Sequence, residues 1–334
     1  MHQQRRQRRF DPAAHRAPVH DIATIYDQAG EDYVAYADGD PERLFCFDGL
    51  HAYADRQLWC RLETMLRDMR TAGASSISIL DAGCGPGTWL RRLVTHAHRL
   101  GFANITARGF DVAHAQIELA RRMAHELALC RGVNLTFDVA DVTGRLPEAD
   151  ASVDMVLCLY SVLSHLPMAS LPDVAAEIAR VTRRHFITTV RAIGSTPTIF
   201  VDSIEKARHF SLDHSSDRCE IELRSGRRIA VPFHLFSARE LSDCFAQHFE
   251  IEDLCGLDIF HNRFIPDHRW NPASLQVDQQ ISGHLGQLEE TYARSPCFME
   301  RATHLLLVGS RRHASAQEPA RVQSTEPSTP GTRA

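Results

Sequence analysis

Between residues 77 and 190 short apolar runs alternate with amphipathic segments, and the first run ends in a turn built mostly of glycine. Ile77 to Leu80 reads as a strand and is followed by "DAGCGPGT", residues 81–88. A helix expected from Thr88 to Leu100 places Trp89, Leu93, Val94, Ala97 and Leu100 on one face. Further strands are expected at Ile105–Phe110, Asn134–Val139, Val153–Tyr160 and Phe186–Val190. The intervening segments carry Ile117, Ala120, Ala124 and Leu127, then Leu171, Val174, Ile178 and Val181, again at helical spacing. Such alternation implies a parallel sheet covered on both faces. With 44% hydrophobic residues, a chain of 334 residues can bury that core.

The flanks follow other rules. Residues 21–72 read as helical, with Leu58, Leu62, Met65, Leu66 and Met69 in register and a break near Gly39 and Pro41. Residues 193–236 read as an insertion after the fifth strand. It holds a short helical stretch around Ile204 to Phe210 and a hairpin of Cys219–Leu223 and Arg228–Phe233 that turns at Ser225-Gly226. Ser237 and Glu240 form a capping box for a helix burying Leu241, Cys244 and Phe245. Phe249–Leu254 and His304–Val308 supply a sixth and a seventh strand within residues 237–311. Residues 1–20 form an arginine-rich arm and 312–334 a Ser/Thr/Pro-rich tail, both expected to be disordered. The core proper spans 73–192.

Composition removes several classes of function. A net charge of −5 gives no basic domain for nucleic acid. Lys206 is the single lysine, so no Walker-type lysine follows the glycine loop. Nine cysteines without C-x-x-C, and histidines without H-E-x-x-H, predict no metal site and point to reduced thiols in a cytoplasmic protein. No apolar run reaches membrane-spanning length, and no apolar stretch follows Arg5, Arg6, Arg8 and Arg9 as in a secretory signal.

The glycine loop chooses among cofactors. A dinucleotide fingerprint needs glycine at 88, where Thr88 stands. Asp81, two residues before Gly83, suits a ligand carrying positive charge better than a phosphate. "LDAGCGPGT" resembles motif I of the class I methyltransferases that use S-adenosylmethionine. "GFDVAHAQIELAR", "DVADV", "VDMVLCLYSVLSHL" and "AEIARVTRRHFITTV" resemble the motifs that follow in that family, in the same order. The resemblance implies an α/β, doubly wound, seven-stranded and mostly parallel sheet with an antiparallel last strand and an N-terminal helical lid. It implies S-adenosylmethionine as cofactor, held by Asp81, Gly83, Gly85 and Gly87, by Asp111 and Val112, and by Asp141 and Val142. Leu159 and Tyr160 would lie beside the methyl group, with Tyr26 and Tyr33 contributed by the lid. Ala113, where relatives place a capping Ser or Thr, and Arg183-Arg184, where they place Pro-Gly, depart from the pattern.

The physical chemistry of these residues agrees. A carboxylate at a strand end accepts both hydroxyls of a ribose, and an acid at an adenine edge accepts from its amine. Methyl transfer from a sulfonium needs an in-line nucleophile more than a base. His165, His234 and His261 are the candidates should a base be used, with Asp258 and Arg263 at the same acceptor end. The strand-four loop "CLYS" lacks the prolines of DNA amino-methylating enzymes, and the paired glutamates of protein-arginine enzymes are absent, so a small-molecule acceptor, at O or N, is expected. A cofactor-binding partner subunit without turnover is the alternative.

Overall fold

A computed structural model describes residues 22–38, 43–47, 51–195, 207–261 and 279–312. The N-terminal arm, Arg263 and the tail beyond residue 312 lie outside the described residues. Helices α1 (Ile22–Asp38) and α2 (Ala52–Thr71) precede the core. The core then runs β1 (Ser76–Ala82), α3 (Thr88–Arg99), β2 (Asn104–Asp111), α4 (His114–Met123), α5 (His125–Ala128), β3 (Val133–Val139), β4 (Val153–Cys158), α6 (Leu171–Val181) and β5 (Thr182–Arg191). After the insertion come α7 (Ala238–Ala246), β9 (Phe249–Leu257), α8 (Gln279–Tyr292), α9 (Pro296–Met299) and β10 (His304–Arg311).

Seven strands form one sheet in the order β3-β2-β1-β4-β5-β10-β9. β10 pairs antiparallel with β5 and with β9, so the other six strands run one way. Alternation along β1 explains the two layers. Ile77 and Ile79 pack with Leu58, Leu62, Leu93 and Val94 on the face covered by α2 and α3. Leu80 and Ala82 pack with Val174, Ile178, Phe186 and Phe245 on the face covered by α6 and α7. β4 is buried at every position, as a central parallel strand requires.

The insertion carries a second, three-stranded sheet of β6 (Ala207–Asp213), β7 (Arg218–Leu223) and β8 (Arg228–Pro232). The hairpin is present as read, with β7 antiparallel to β8. The helical stretch expected around Ile204 to Phe210 is corrected: residues 207–213 are a strand paired with β7. Helical spacing over so few residues is a weak preference, and the β7 edge supplies a backbone ladder that outweighs it. Cys219, Ile221, Val231 and Phe233 of this region form a small core with Ile25 of α1, which joins lid to insertion.

At the N-terminal edge of the main sheet, Arg183 and Arg184 serve a different purpose from a turn. Their Nε atoms lie 2.8 and 3.1 Å from Asp154, which also accepts the Ser78 N–H at 3.0 Å. Asp154 is buried while both guanidinium groups remain about half exposed. Asp154→Ala should therefore lower unfolding free energy by about 1–2 kcal/mol, less than a fully buried pair, because both arginines keep access to water. Arg184→Ala should cost under about 1 kcal/mol; urea denaturation of both variants checks the ranking.

Candidate active site

The strand order reverses between β1 and β4, and open α/β sheets bind ligands in the crevice at that point. The loop after β1 enters α3 there with Gly83, Gly85 and Gly87 all at positive φ, 75°, 52° and 75°. Two of these positions exclude any side chain. A Cβ on Gly83 would stand 2.3 Å from Val162 Cγ2, and one on Gly87 would stand 2.7 Å from the Phe137 ring. The loop thus fits closely between the strand-four loop and β3.

A single carboxylate organises this end of the sheet. Asp111 Oδ2 accepts the Gly85 N–H and its Oδ1 accepts the Ala113 N–H, each at 2.9 Å. Each oxygen keeps a further lone-pair position toward a ligand. Asp81 is 2% exposed, and burial together with the Asp111 carboxylate pushes its pKa up to about 7. Burial also raises Asp111, against the backbone N–H groups that favour its ionised form. Asp141 Oδ1 accepts the Thr143 N–H at 2.8 Å. Asp81, Asp111 and Asp141 all line one cavity of about 790 Å³.

The lid is pinned to the core by what α4 lacks. Ala113 provides no side-chain cap, and Asp27 of α1 accepts the Ala115 N–H at 2.7 Å in its place. Gln116 of α4, 1% exposed, donates to the carbonyls of Tyr26 and Gly30 at 3.0 and 3.2 Å. Tyr26 and Tyr33 meet edge to face and both line the cavity. Val112, Val142, Leu159, Gly83 and Gly85 also line it, whereas Gly87 starts α3 behind the wall.

Tyr160 and Ser161 adopt positive φ, 52° and 75°, and Thr189 holds them through its hydroxyl to the Tyr160 N–H and its carbonyl to the Ser161 N–H. The Tyr160 ring lies between His51 and Trp89, and its hydroxyl donates to Asp55 of α2. The ring therefore forms a fixed wall of the cavity.

The three histidines separate. His165 lines the cavity, with Nδ1 3.1 Å from the Pro232 carbonyl and Nε2 3.2 Å from the Tyr26 hydroxyl. A carbonyl only accepts, so Nδ1 carries the proton and Nε2 accepts from Tyr26. Burial lowers the His165 pKa to about 4, which leaves a neutral ring that holds the lid and a weak base. His234 lies off the cavity, clasped by Asp217 at 2.8 Å and Glu240 at 3.0 Å. His261 also lies off it, its ring stacked on Tyr53 at 4.5 Å and its pKa lowered by burial. The insertion reaches the cavity instead through Pro232 and Phe233.

Residues that no motif marks complete the wall opposite the acids. His51 precedes α2, Arg191 ends β5 and His304 opens β10; all three line the cavity. A histidine opening the apolar run "HLLLV" was the available signal for His304.

Residues 79–185 match the family model described as a methyltransferase domain. The match covers the core of the sheet, from within β1 to the start of β5. No curated protein matches the sequence. Among solved structures, a S-adenosylmethionine-dependent methyltransferase from Clostridium acetobutylicum ATCC 824 is similar at 9% identity and TM-score 0.49, covering 85% of this chain and 97% of that one. Magnesium protoporphyrin IX methyltransferase from Synechocystis PCC 6803, with bound SAM, is similar at 14% identity and TM-score 0.43, covering 88% and 100%. Geranyl diphosphate C-methyltransferase from Streptomyces coelicolor A3(2) is similar at 17% identity and TM-score 0.44, covering 83% and 87%. At such scores the likenesses carry no weight for acceptor or mechanism. Among the described residues no helix is long and apolar enough to cross a membrane.

Two outcomes follow for the free protein. The stability lent by protonated Asp81 is full below its ordinary value of 3.8 and is gone once pH has risen through about 7. Denaturant unfolding should show a less stable protein at about pH 8 than at about pH 5, and Asp81→Asn should flatten that difference. Asp27→Ala removes the cap on α4 and should cost about 1 kcal/mol. Amide exchange should quicken in α1 before it quickens in β1 or β4.

Proposed function

We propose that this methyltransferase acts on an oxygen or nitrogen atom of a small molecule, by in-line displacement. The observation carrying this reading is one cavity lined both by the carboxylates of Asp81, Asp111 and Asp141 and by His51, Tyr160, Arg191, Phe233 and His304. The first group fits the donor. Asp111 would accept the ribose hydroxyls, Asp141 with Val142 would meet the adenine edge, and Asp81 would face the ammonium group. Glycine at 83 and 87 lets the loop pack against Val162 and Phe137, and Gly83 and Gly85 leave bare backbone at the cavity surface. Acids at these positions would repel a phosphate.

When bound, S-adenosylmethionine supplies a methyl carbon already activated by its sulfonium. The residues of this chain have three tasks. Tyr160, fixed by Asp55 and Thr189 and packed between His51 and Trp89, presents a rigid wall against which the methyl group would lie. Tyr26 and Tyr33, on the helix that Asp27 and Gln116 hold against α4, cover the donor side of the crevice. The second group aligns the acceptor, a source of rate enhancement worth up to about 7–11 kcal/mol when well oriented. His165 holds Tyr26 and takes no proton in this scheme, since its Nε2 already accepts from that hydroxyl.

A thermal melt with S-adenosylmethionine, S-adenosylhomocysteine and NADH tests the donor wall. Ligand at about 100 times its dissociation constant should add about 2.7 kcal/mol for the two adenosyl compounds and nothing for NADH. Asp111→Ala should abolish the shift. With binding established, labelled methyl groups followed into a panel of hydroxylated and amino small molecules identify the acceptor atom; transfer only to protein or nucleic acid would overturn the small-molecule reading.

A further inference from the structure

Three residues from distant parts of the chain converge beside the cavity, two of them, His51 and His304, lining it. His51 precedes α2, Asp258 follows β9 and His304 opens β10. β10 lies between β5 and β9, so the end of β9 and the start of β10 meet at the same edge as the glycine loop. The three residues are 9%, 2% and 2% exposed. His51 Nδ1 stands 3.3 Å from Asp258 Oδ2, and the His51 and His304 rings meet edge to face at 5.0 Å. One donor atom from each residue lies within 4.8 Å of the other two.

We propose that His51, Asp258 and His304 bind a divalent transition metal ion at the acceptor end of the methyl-transfer cavity. Ligand distances of about 2.0–2.2 Å around one ion require donor separations of roughly 3–4 Å. The His51–Asp258 pair already meets this, and His304 offers a donor within 4.8 Å of both. Two imidazoles and one carboxylate are a donor set suited to Zn²⁺, Fe²⁺ or Co²⁺; Mg²⁺ prefers oxygen ligands and retained waters. His304 Nδ1 is buried without a hydrogen-bond partner among the described residues, a position an ion would satisfy.

The surroundings hold the ligands in place. Asp258 has φ 56° and its carbonyl accepts from the Thr303 hydroxyl at 3.1 Å. The next three residues donate their N–H groups to Glu289, which is fully buried. Tyr160 packs against both histidine rings, so the cluster adjoins the wall where the methyl group is transferred. His51 and His304 also line the cavity, which leaves coordination positions open to a ligand, as in catalytic rather than structural sites.

The consequence for the acceptor rests on the proposed methyl transfer. A hydroxyl oxygen bound to the ion would lose its proton to solvent and attack the methyl carbon. The carbon–sulfur bond would break, and its electron pair would return to sulfur. This selects oxygen over nitrogen acceptors and supplies activation that no histidine base provides.

The test uses full-length protein stripped with chelator and titrated with Co²⁺, followed by visible d–d absorption, with Zn²⁺ and Mg²⁺ as competitors. One equivalent of Co²⁺, displaced by Zn²⁺ and not by Mg²⁺, is expected. His51→Ala, His304→Ala and Asp258→Asn should each weaken binding by at least the roughly 10–100-fold seen when only a ligand's supporting partner is removed. His234→Ala, off the cavity, should bind as the wild type does. No stoichiometric Co²⁺ on cooperatively melting wild-type protein would overturn the site, as would an equivalent retained by the His51 and His304 variants. Should an alanine variant fail to melt cooperatively, Asp258→Asn decides, because it preserves shape and removes charge. S-adenosylmethionine melts on the same samples keep the two readings apart: donor binding without metal removes only the metal site, and metal binding without donor binding removes only the proposed transfer.

Discussion

The Asp111 carboxylate bridges two backbone segments that would otherwise be unrelated. One oxygen takes the Gly85 N–H and the other the Ala113 N–H, so the glycine loop and the start of α4 are held at a set separation. The loop needs this support because its glycines sit in left-handed conformations and have no side chains with which to pack. Asp81 stands beside Asp111 in the same buried place, and burial together with the Asp111 carboxylate disfavours its ionisation. A cationic group bound beside the two acids would favour their ionised forms.

From that anchor the lid follows. α4 begins without its own cap, and the vacant backbone N–H is taken by Asp27. Gln116 adds two bonds to the carbonyls of α1. Ile25 on the same helix joins the small core of the insertion sheet. Tyr26 reaches His165, whose other nitrogen is tied to Pro232 at the end of β8. The lid, the strand-four loop and the insertion are thus one connected layer over the crevice. A change at the acceptor side would be felt in the lid through Tyr26 and His165, by direct hydrogen bonds.

The histidine-bearing side of the site is assembled differently from the side that carries the three acids. Asp81, Asp111 and Asp141 follow successive strands, each within a local motif. His51, Arg191, Asp258 and His304 come from a helix start and three strand ends, brought together by the antiparallel placement of β10 between β5 and β9. Their grouping is a property of the sheet order alone, and so is the burial of Asp258 and His304 among aromatic rings.

The sequence by itself determined the doubly wound core, its glycine loop and the acids behind it, because each is encoded within a stretch short enough for local periodicity and turn chemistry to decide. It also determined the capping box at Ser237 and Glu240, whose two bonds are present. Tertiary structure alone decided that residues 207–213 form a strand, since the partner edge of β7 supplies the backbone bonds that the segment's own spacing does not reveal. It alone decided that His234 and His261 lie off the cavity while His51 and His304 line it. A histidine's role depends on which groups lie within a few ångströms, and for these four residues the neighbours come from remote segments. No spacing along the chain records them.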